Sequence, residues 1–469
     1  MSVLKGLEPE RVFYYFEKIC AVPHGSGNTG KISDYCVSVA NELGLYCMKD
    51  GNNNVLIKKN ASKGYENRPT VILQGHLDMV CEKESGCDID FLKDGLDIKT
   101  EGDFITANAT TLGGDDGVAV AMCLAILEDN SIKHPPLEVL FTTDEETGMY
   151  GAAGFDASLL KGRILINADS EEEGELTVSC AGGGRAEVFI PLETAAVTAP
   201  CYKVTLGGLE GGHSGTEIDK GRQNANIMLG RFLNGIDDVM IASISGGLKD
   251  NAIPRESTAV ISTAADIKAL SELFVKNNVV STDSGLKISV ESADSTTAYS
   301  RESSKKITEF LSTVINGVQA MSEDIKGLVE TSLNLGILNS ENGVLKASFS
   351  IRSSKNIKKR EMVETLAKTA EKFGGTSSVH GEYPAWEYKK QSHLRDVAVK
   401  VYRDTFGKEP KVKAIHAGLE CGLFSDKIEG LDAISLGPDM QDIHTTREKL
   451  SISSTARTYK YILEILKEI

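Results

Sequence analysis

The sequence predicts an α/β protein in which a ligand-bearing domain is interrupted by a large α+β insertion. Three observations predict it. Short β-branched runs between turn residues alternate with helical stretches, the pattern of an open sheet covered by helices. Four of those runs lead to His or acidic residues, and a fifth acidic motif opens an apolar helix. From Cys201 to about Gly375 the strands and helices carry none of these residues, and after Trp386 the first style returns.

Taken in order, an amphipathic helix is expected over about 9–19, broken at Pro23, and a second over about 31–42. Leu45–Met48 and Val55–Lys58 form a hairpin around Asp50-Gly51-Asn52-Asn53, a good turn composition. The run Thr70–Gly75 ends in His76-Leu77-Asp78, and Gly113-Gly114-Asp115-Asp116-Gly117 heads the apolar segment Val118–Leu127. Leu137–Thr143 runs into Asp144-Glu145-Glu146, and Arg163–Ala168 into Asp169. Ala181-Gly182-Gly183-Gly184 marks the change of style. Within the insertion, Tyr202–Leu206 resembles Leu286–Val290, and in each half a strand feeds a helix: Ala259–Thr263 into Ile267–Phe274, and Lys346–Ile351 into Lys359–Phe373. Two similar halves are therefore expected, each a small βαβ-type unit with helices on one face of a sheet. Beyond Trp386 come a helix over Leu394–Phe406, two glycine-rich turns, the strand Asp432–Gly437 leading to His444, and a closing helix over Ser453–Lys467. The expected domains are 1–183 with 385–469, and an inserted 184–384.

Composition narrows the function. A chain of 469 residues exceeds one ordinary core. Its 41% hydrophobic and 25% charged residues are those of a soluble globular protein, and no apolar run approaches the ~20 residues of a membrane span. The stretch Met1–Arg11 lacks the basic and then apolar plan of a secretory signal. Nine cysteines stand singly, with no CxxC pair, which fits a reducing cytoplasm better than a disulfide framework. A formal net charge of −16 disfavours nucleic acid and acidic membrane surfaces as partners.

In an open α/β sheet, loops at the carboxyl ends of the strands converge on one crevice. Two imidazoles meeting three or more carboxylates there make a dinuclear metal site. Asp78, two residues beyond His76, suits a carboxylate behind a ligating imidazole, which fixes the tautomer and raises basicity. Taken singly, each motif has a plainer reading. Asp115 and Asp116 could cap a helix, Glu145-Glu146 and Asp169 could be solvated acidic turns, and His444 alone says little. Their joint placement at one sheet edge favours the metal site.

Gly75-His76-Leu77-Asp78-Met79-Val80, Gly114-Asp115-Asp116-Gly117, Asp144-Glu145-Glu146-Thr147-Gly148, Asp169 and His444 resemble, in order, the signature of the M20 metallopeptidases. Gly211-Gly212-His213-Ser214-Gly215, Asp250–Arg255 and His416–Gly422 resemble the aminoacyl-histidine (cytosolic non-specific) dipeptidase branch of that family. The likeness covers nearly the whole chain; Asp116 stands where many relatives have Asn. It implies a phosphorylase/hydrolase-like, three-layer zinc-peptidase domain with an inserted lid. It also implies hydrolysis of unblocked dipeptides at two Zn2+ per subunit, with Co2+ or Mn2+ as substitutes. Deacylation of N-acyl amino acids or tripeptide cleavage is the alternative. Asp115 would bridge the ions, His76 and Asp169 completing one and Glu146 and His444 the other. Glu145 would be the general base and His213 the oxyanion donor. Asn251 and Arg352 would bind substrate, Arg352 clamping its carboxylate, while Gly418 would present backbone donors and Glu420 would meet the free amine. The expected partner is a short peptide, and the protein is expected as a monomer or homodimer.

Overall fold

A computed structural model describes residues 2–469 and divides into two compact units. The first runs to Ser179 and resumes over Tyr388–Ala414 and Leu419–Ile469; the second comprises Cys180–Glu387 and Ile415–Gly418. In chain order the first unit supplies α1 (Glu10–Cys20), α2 (Gly30–Glu42), β1 (Tyr46–Lys49), β2 (Val55–Lys59), β3 (Val71–His76), α3 (Gly114–Glu128), β4 (Leu137–Thr142), β5 (Ile164–Asn167) and β6 (Glu175–Cys180). The second unit then supplies β7 (Gly182–Pro191), β8 (Cys201–Gly207), α4 (Ala225–Asn234), β9 (Met240–Gly246), β10 (Ser257–Ser262), α5 (Ile267–Asn278) and β11 (Lys287–Ala293). It continues with α6 (Arg301–Thr313), β12 (Val329–Glu341), β13 (Val344–Ser353), α7 (Asn356–Lys372) and β14 (Thr376–Tyr383). The chain ends with α8 (His393–Phe406), β15 (Lys411–Ile415), α9 (Glu420–Lys427), β16 (Asp432–Ser435) and α10 (Ile452–Glu468).

The first unit is an eight-stranded sheet in the order β1-β2-β4-β3-β5-β16-β6-β15. Its centre is parallel: β3 pairs with β4 and β5, and β5 with β16. These strands read as continuous apolar runs because a parallel sheet is covered on both faces. Register aligns His76 with Thr142, Gln74 with Asn167, and Asn167 with Ser435. The carboxyl ends of four strands therefore stand side by side. Helix α3, buried from Gly114 to Leu127, packs on β3 and α1.

The second unit holds a nine-stranded sheet whose main path is β11-β8-β10-β9-β12-β13-β7-β14. It contains two halves of one topology. Strands β8, β9, β10 and β11, with α4 after the first and α5 after the third, lie in the order 4-1-3-2. Strands β7, β12, β13 and β14, with α6 before β12 and α7 after β13, lie in the same order. The halves join edge to edge where Ser245 and Gly246 pair with Asn339 and Leu338. Two similar halves were expected, but the strand correspondence differs. Tyr202–Leu206 and Leu286–Val290 belong largely to β8 and β11, the first and last strands of one half, and lie antiparallel, with Val204 opposite Val290. Alternating side chains mark a strand without naming its neighbour, so two adjacent strands imitated a repeat. The true counterpart of β8 is β7, and the whole first half sits between β7 and α6. Its ends close on each other: Cys201 is opposite Ala293, and the flanking segments Thr194–Ala196 and Thr297–Tyr299 pair as a two-stranded stalk.

Helices α4 and α6 cross in the core of this unit at Gly230. A Cβ there would stand 2.2 Å from Leu311 Cβ. In an exposed helix Gly→Ala would gain ~1 kcal/mol of propensity, but here overpacking costs ~1–3 kcal/mol. Gly230→Ala is expected to lower stability in denaturant unfolding; equal or greater stability would show that the helices part without cost.

Candidate metal centre

The strand-end residues of the first unit converge. His76, 1% exposed at the end of β3, has Nε2 3.0 Å from Asp115 Oδ1 and 3.7 Å from Asp169 Oδ1. His444 Nε2 lies 2.9 Å from Glu146 Oε1 and 3.3 Å from Asp115 Oδ2. The two oxygens of Asp115 thus face two different imidazoles. Ligand atoms within 4.8 Å of one another form three groups: His76 with Asp116 and Asp169, His76 with Glu145 and Glu146, and Asp115 with Glu146 and His444. The backbone is unusual at the same places. Asp115 and Asp116 leave helical geometry at the head of α3, their shared peptide is cis, and His444 and Asp144 have φ of 59° and 54°. Non-glycine residues held at positive φ cost about 1–3 kcal/mol each and persist where surroundings over-determine them.

The charge balance of this pocket is uneven. Burial opposes ionisation of Asp115, yet hydrogen bonds from His444 and His76 outweigh it and hold its carboxyl below the usual range. Burial raises Asp169 to about 6, with His76 opposing and Asp115 adding to the rise. Asp116 is pushed well above its ordinary value by burial and Asp169, and Glu145 by burial with Asp169, Glu420 and Glu146. Glu171 is raised to about 7, by burial and then Asp115. The imidazoles respond in kind. His444 rises to about 10 through Asp115 and Glu146, and His76 rises well above its ordinary value because Asp115, Asp169 and Asp78 overcome burial. Carboxylates crowded in low dielectric demand positive charge, supplied by protons or by cations. A set of two imidazoles and several carboxylates, with Asp115 shared, fits a pair of divalent ions.

Other residues aim these groups. The nearest partner of His76 Nδ1 is the Asp78 carbonyl oxygen at 3.0 Å, with the Asp78 carboxylate at 3.6 Å. That carboxylate accepts from Ser26 Oγ at 2.8 Å and from the N–H groups of Glu145 (3.1 Å) and Glu146 (3.4 Å). Asp78 therefore ties β3 to the Glu145–Glu146 loop as well as facing the imidazole. Glu420 has no accessible surface. It accepts from Gln74 Nε2 at 2.5 Å and Thr142 Oγ1 at 2.6 Å, while Asn167 Nδ2 donates to Gln74 Oε1 at 2.7 Å. This polar ladder crosses β4, β3 and β5 beneath the ligands, so the expected contact of Glu420 with a substrate amine is not open to it as it stands. Gln74 and Asn167 were the overlooked signal: polar residues inside apolar runs.

The remaining candidates belong to the second unit. A Cβ on Gly215 would be 2.8 Å from the His416 carbonyl oxygen, 3.0 Å from His213 Cε1 and 3.1 Å from Arg352 Nε, so the three residues crowd one loop. Ser214 N–H donates to the Asn251 carbonyl at 2.9 Å, and Gly212–His213 pairs with Ala252–Ile253. Arg352 Nε is buried without a partner, and its Nη1 is 3.4 Å from Tyr383 Oη. An unpaired buried guanidinium donor asks for an anion. Gly418 belongs to the short segment Ile415–Gly418 that groups with this unit. His416, quoted for its motif but given no role, donates to or accepts from Ser332 Oγ at 2.7 Å. Burial and then Arg352 lower it to about 3, so it is neutral. His213 Nδ1 accepts N–H bonds from Thr216 (3.1 Å) and Gly215 (3.3 Å). Burial and then Arg352 also lower the basicity of His213. An imidazole that is neutral and accepts at Nδ1 carries its hydrogen on Nε2.

Residues 72–468 match Peptidase family M20/M25/M40. The chain is 38% identical over 482 residues to the cytosol non-specific dipeptidase of Escherichia coli (strain K12), covering 100% of this chain and 99% of that one. The crystal structure of aminoacylhistidine dipeptidase from Vibrio alginolyticus aligns with a TM-score of 0.92 at 35% identity, over 99% of this chain and 98% of that one. An aminopeptidase from Bacillus cereus, at 17% identity and a TM-score of 0.59 over 98% and 99% of the two chains, shares the fold.

The tautomer of His213 is directly measurable. Nitrogen-15 NMR of imidazole-labelled protein at neutral pH should place the proton of His213 on Nε2. A proton on Nδ1 would remove the argument that the Thr216 and Gly215 N–H groups fix this ring.

Proposed function

The chain belongs to peptidase family M20/M25/M40, and from that premise we propose that it hydrolyses unblocked dipeptides at a centre for two divalent ions. Zinc suits the mixed imidazole and carboxylate set, with cobalt or manganese as substitutes. The observation that carries this reading is Asp115, whose two oxygens face His76 and His444 separately. His76 and Asp169 would hold one ion with it, and Glu146 and His444 the other. Bound there, the ions would polarise the scissile carbonyl and make water a nucleophile at neutral pH.

The residues of the chain supply the rest. Glu145 takes the proton from the attacking water and delivers it to the leaving amine. Neighbouring side chains diverge at a strand end, so Glu146 can ligate while Glu145 faces the water. Asp78 holds the N–H groups of both glutamates and thereby fixes their loop. His213, neutral and with hydrogen on Nε2, can donate to negative charge growing on the carbonyl oxygen without first being protonated. Arg352 pairs with the substrate carboxylate through its unpartnered Nε, and Asn251 and Gly418 complete that end. The E. coli relative is named as a cytosolic protein, and we extend that location to this chain.

Two variants separate base from bridge. Glu145→Gln is expected to keep two equivalents of zinc and lose at least ~10²-fold in kcat, the low end for general-base catalysis, whereas Asp115→Ala loses metal and activity together. Normal turnover of fully metallated Glu145→Gln protein would move the base elsewhere. Substrate choice tests Arg352. Arg352→Ala should impair cleavage of free dipeptides far more than of their C-terminal amides, read as kcat/KM; equal loss on both would make Arg352 a structural residue. The same panel, extended to tripeptides and N-acyl amino acids, decides against the dipeptidase reading if either class is the better substrate.

A further inference from the structure

One buried acid beside the metal pocket has no part in the reading above. Glu448 is 3% exposed, just past the loop that carries His444. Its carboxylate is bound by four successive backbone N–H groups. Oε2 accepts from Leu112 at 2.8 Å and Gly113 at 3.2 Å, and Oε1 from Gly114 at 2.8 Å and Asp115 at 3.4 Å. The last of these donors is the peptide N–H of Asp115 itself. Glycines make the approach possible: Gly113 has a φ of +66°, and a Cβ on Gly114 would stand 3.2 Å from Glu448 Oε1. Glu448 is in turn anchored, its N–H donating to the Thr445 carbonyl at 3.2 Å, while Lys449–Ser451 pairs with Phe104–Thr106.

Burial penalises this carboxylate, and it lies in a pocket already rich in acids. An acid retained there must be held by its donors, and donors that it holds cannot turn away. We propose that Glu448 is a positioning residue for the metal centre: it clamps the segment Leu112–Asp115 so that the Asp115 carboxylate spans His76 and His444. The arrangement links two ligands mechanically, because the loop that supplies His444 also grips the loop that supplies Asp115. Asp115 sits at the head of α3 on a glycine-rich turn, and Glu448 binds four successive N–H groups of that turn. Glu448 acts through Asp115 and does not itself ligate. The inference rests on the two-ion reading and adds to it a residue that sets how tightly the ions are held.

The test is a zinc titration of the metal-free full chain, wild type against Glu448→Gln and Glu448→Asp, followed by calorimetry and, with cobalt, by visible absorption. In Glu448→Gln the amide nitrogen cannot accept, so two of the four N–H groups lose their partner. Zinc affinity should fall ~10- to 100-fold, the usual range for residues that orient ligands, and the cobalt spectrum should change. Glu448→Asp keeps the charge and should recover part of the affinity. If Glu448→Gln melts lower without metal yet binds two zinc ions as tightly as wild type, Glu448 is an ordinary structural tie and the proposal fails. Should neither variant fold, wild type alone decides. Coupling is reciprocal, so hydrogen exchange at the amides of Leu112–Asp115 must slow when zinc binds. Unchanged exchange there would overturn the clamp. A wild type that binds no zinc would instead overturn the two-ion reading.

Discussion

Negative charge gathered at the carboxyl ends of four parallel strands is the constraint on which the first unit depends. Parallel pairing in register puts His76, the loop after Thr142, the segment after Asn167 and the chain after Ser435 at one edge. Backbone geometry alone would leave their carboxylates repelling one another. What reconciles them is a set of donors: two imidazoles shared through Asp115, N–H groups at Asp78 and Glu448, and the hydroxyl and amides beneath Glu420. The positive φ of Asp144 and His444 belongs to the same arrangement. A conformation disfavoured by each residue separately persists because its neighbours leave no other.

The second unit answers a different demand. Its Gly215 loop gathers His213, Arg352 and His416, three potentially cationic side chains. Burial and then the neighbouring Arg352 lower the basicity of both histidines, which leaves the positive charge of this group on Arg352. A neutral donor and a single cation in one loop region suit, respectively, a carbonyl oxygen and a carboxylate. These residues come from both halves of the sheet, His213 from the first and Arg352 from the second. A small apolar cluster of Ile218, Ile253 and Val329, with Val318 against it, ties those halves near the same loop.

Much of this was legible in the sequence, for physical reasons. Apolar runs ending in His76-Leu77-Asp78, Asp144-Glu145-Glu146 and Asp169 announce buried strands that open on polar chemistry, and a glycine pair before Asp115 announces a tight turn into a helix. Helices α1, α2, α3, α8 and α10, the hairpin and strands β3, β4, β5 and β16 follow the expected segments to within a few residues, whereas β6, β15 and α9 have no counterpart among them. What the sequence hid is pairing. Val204 and Val290 alternate alike whether their strands are counterparts or neighbours, and they are neighbours. Glu448, in Thr445-Thr446-Arg447-Glu448-Lys449, belongs to no motif singled out in the sequence; only the distant Leu112–Asp115 amides give it a role. Glu420, expected to meet a substrate amine, is instead buried and accepts from Gln74 and Thr142.

The stalk at Thr194–Ala196 and Thr297–Tyr299 has a consequence for how so large an interruption is tolerated. The entropy of closing a loop grows only with the logarithm of its length, ~0.6 kcal/mol for each doubling. Here even that charge is reduced, because the first half brings its own ends together: Cys201 lies opposite Ala293. Once it has folded, the connection from β7 to α6 is effectively two short zippered arms. The two halves are thus separable in topology though fused in one sheet and one core.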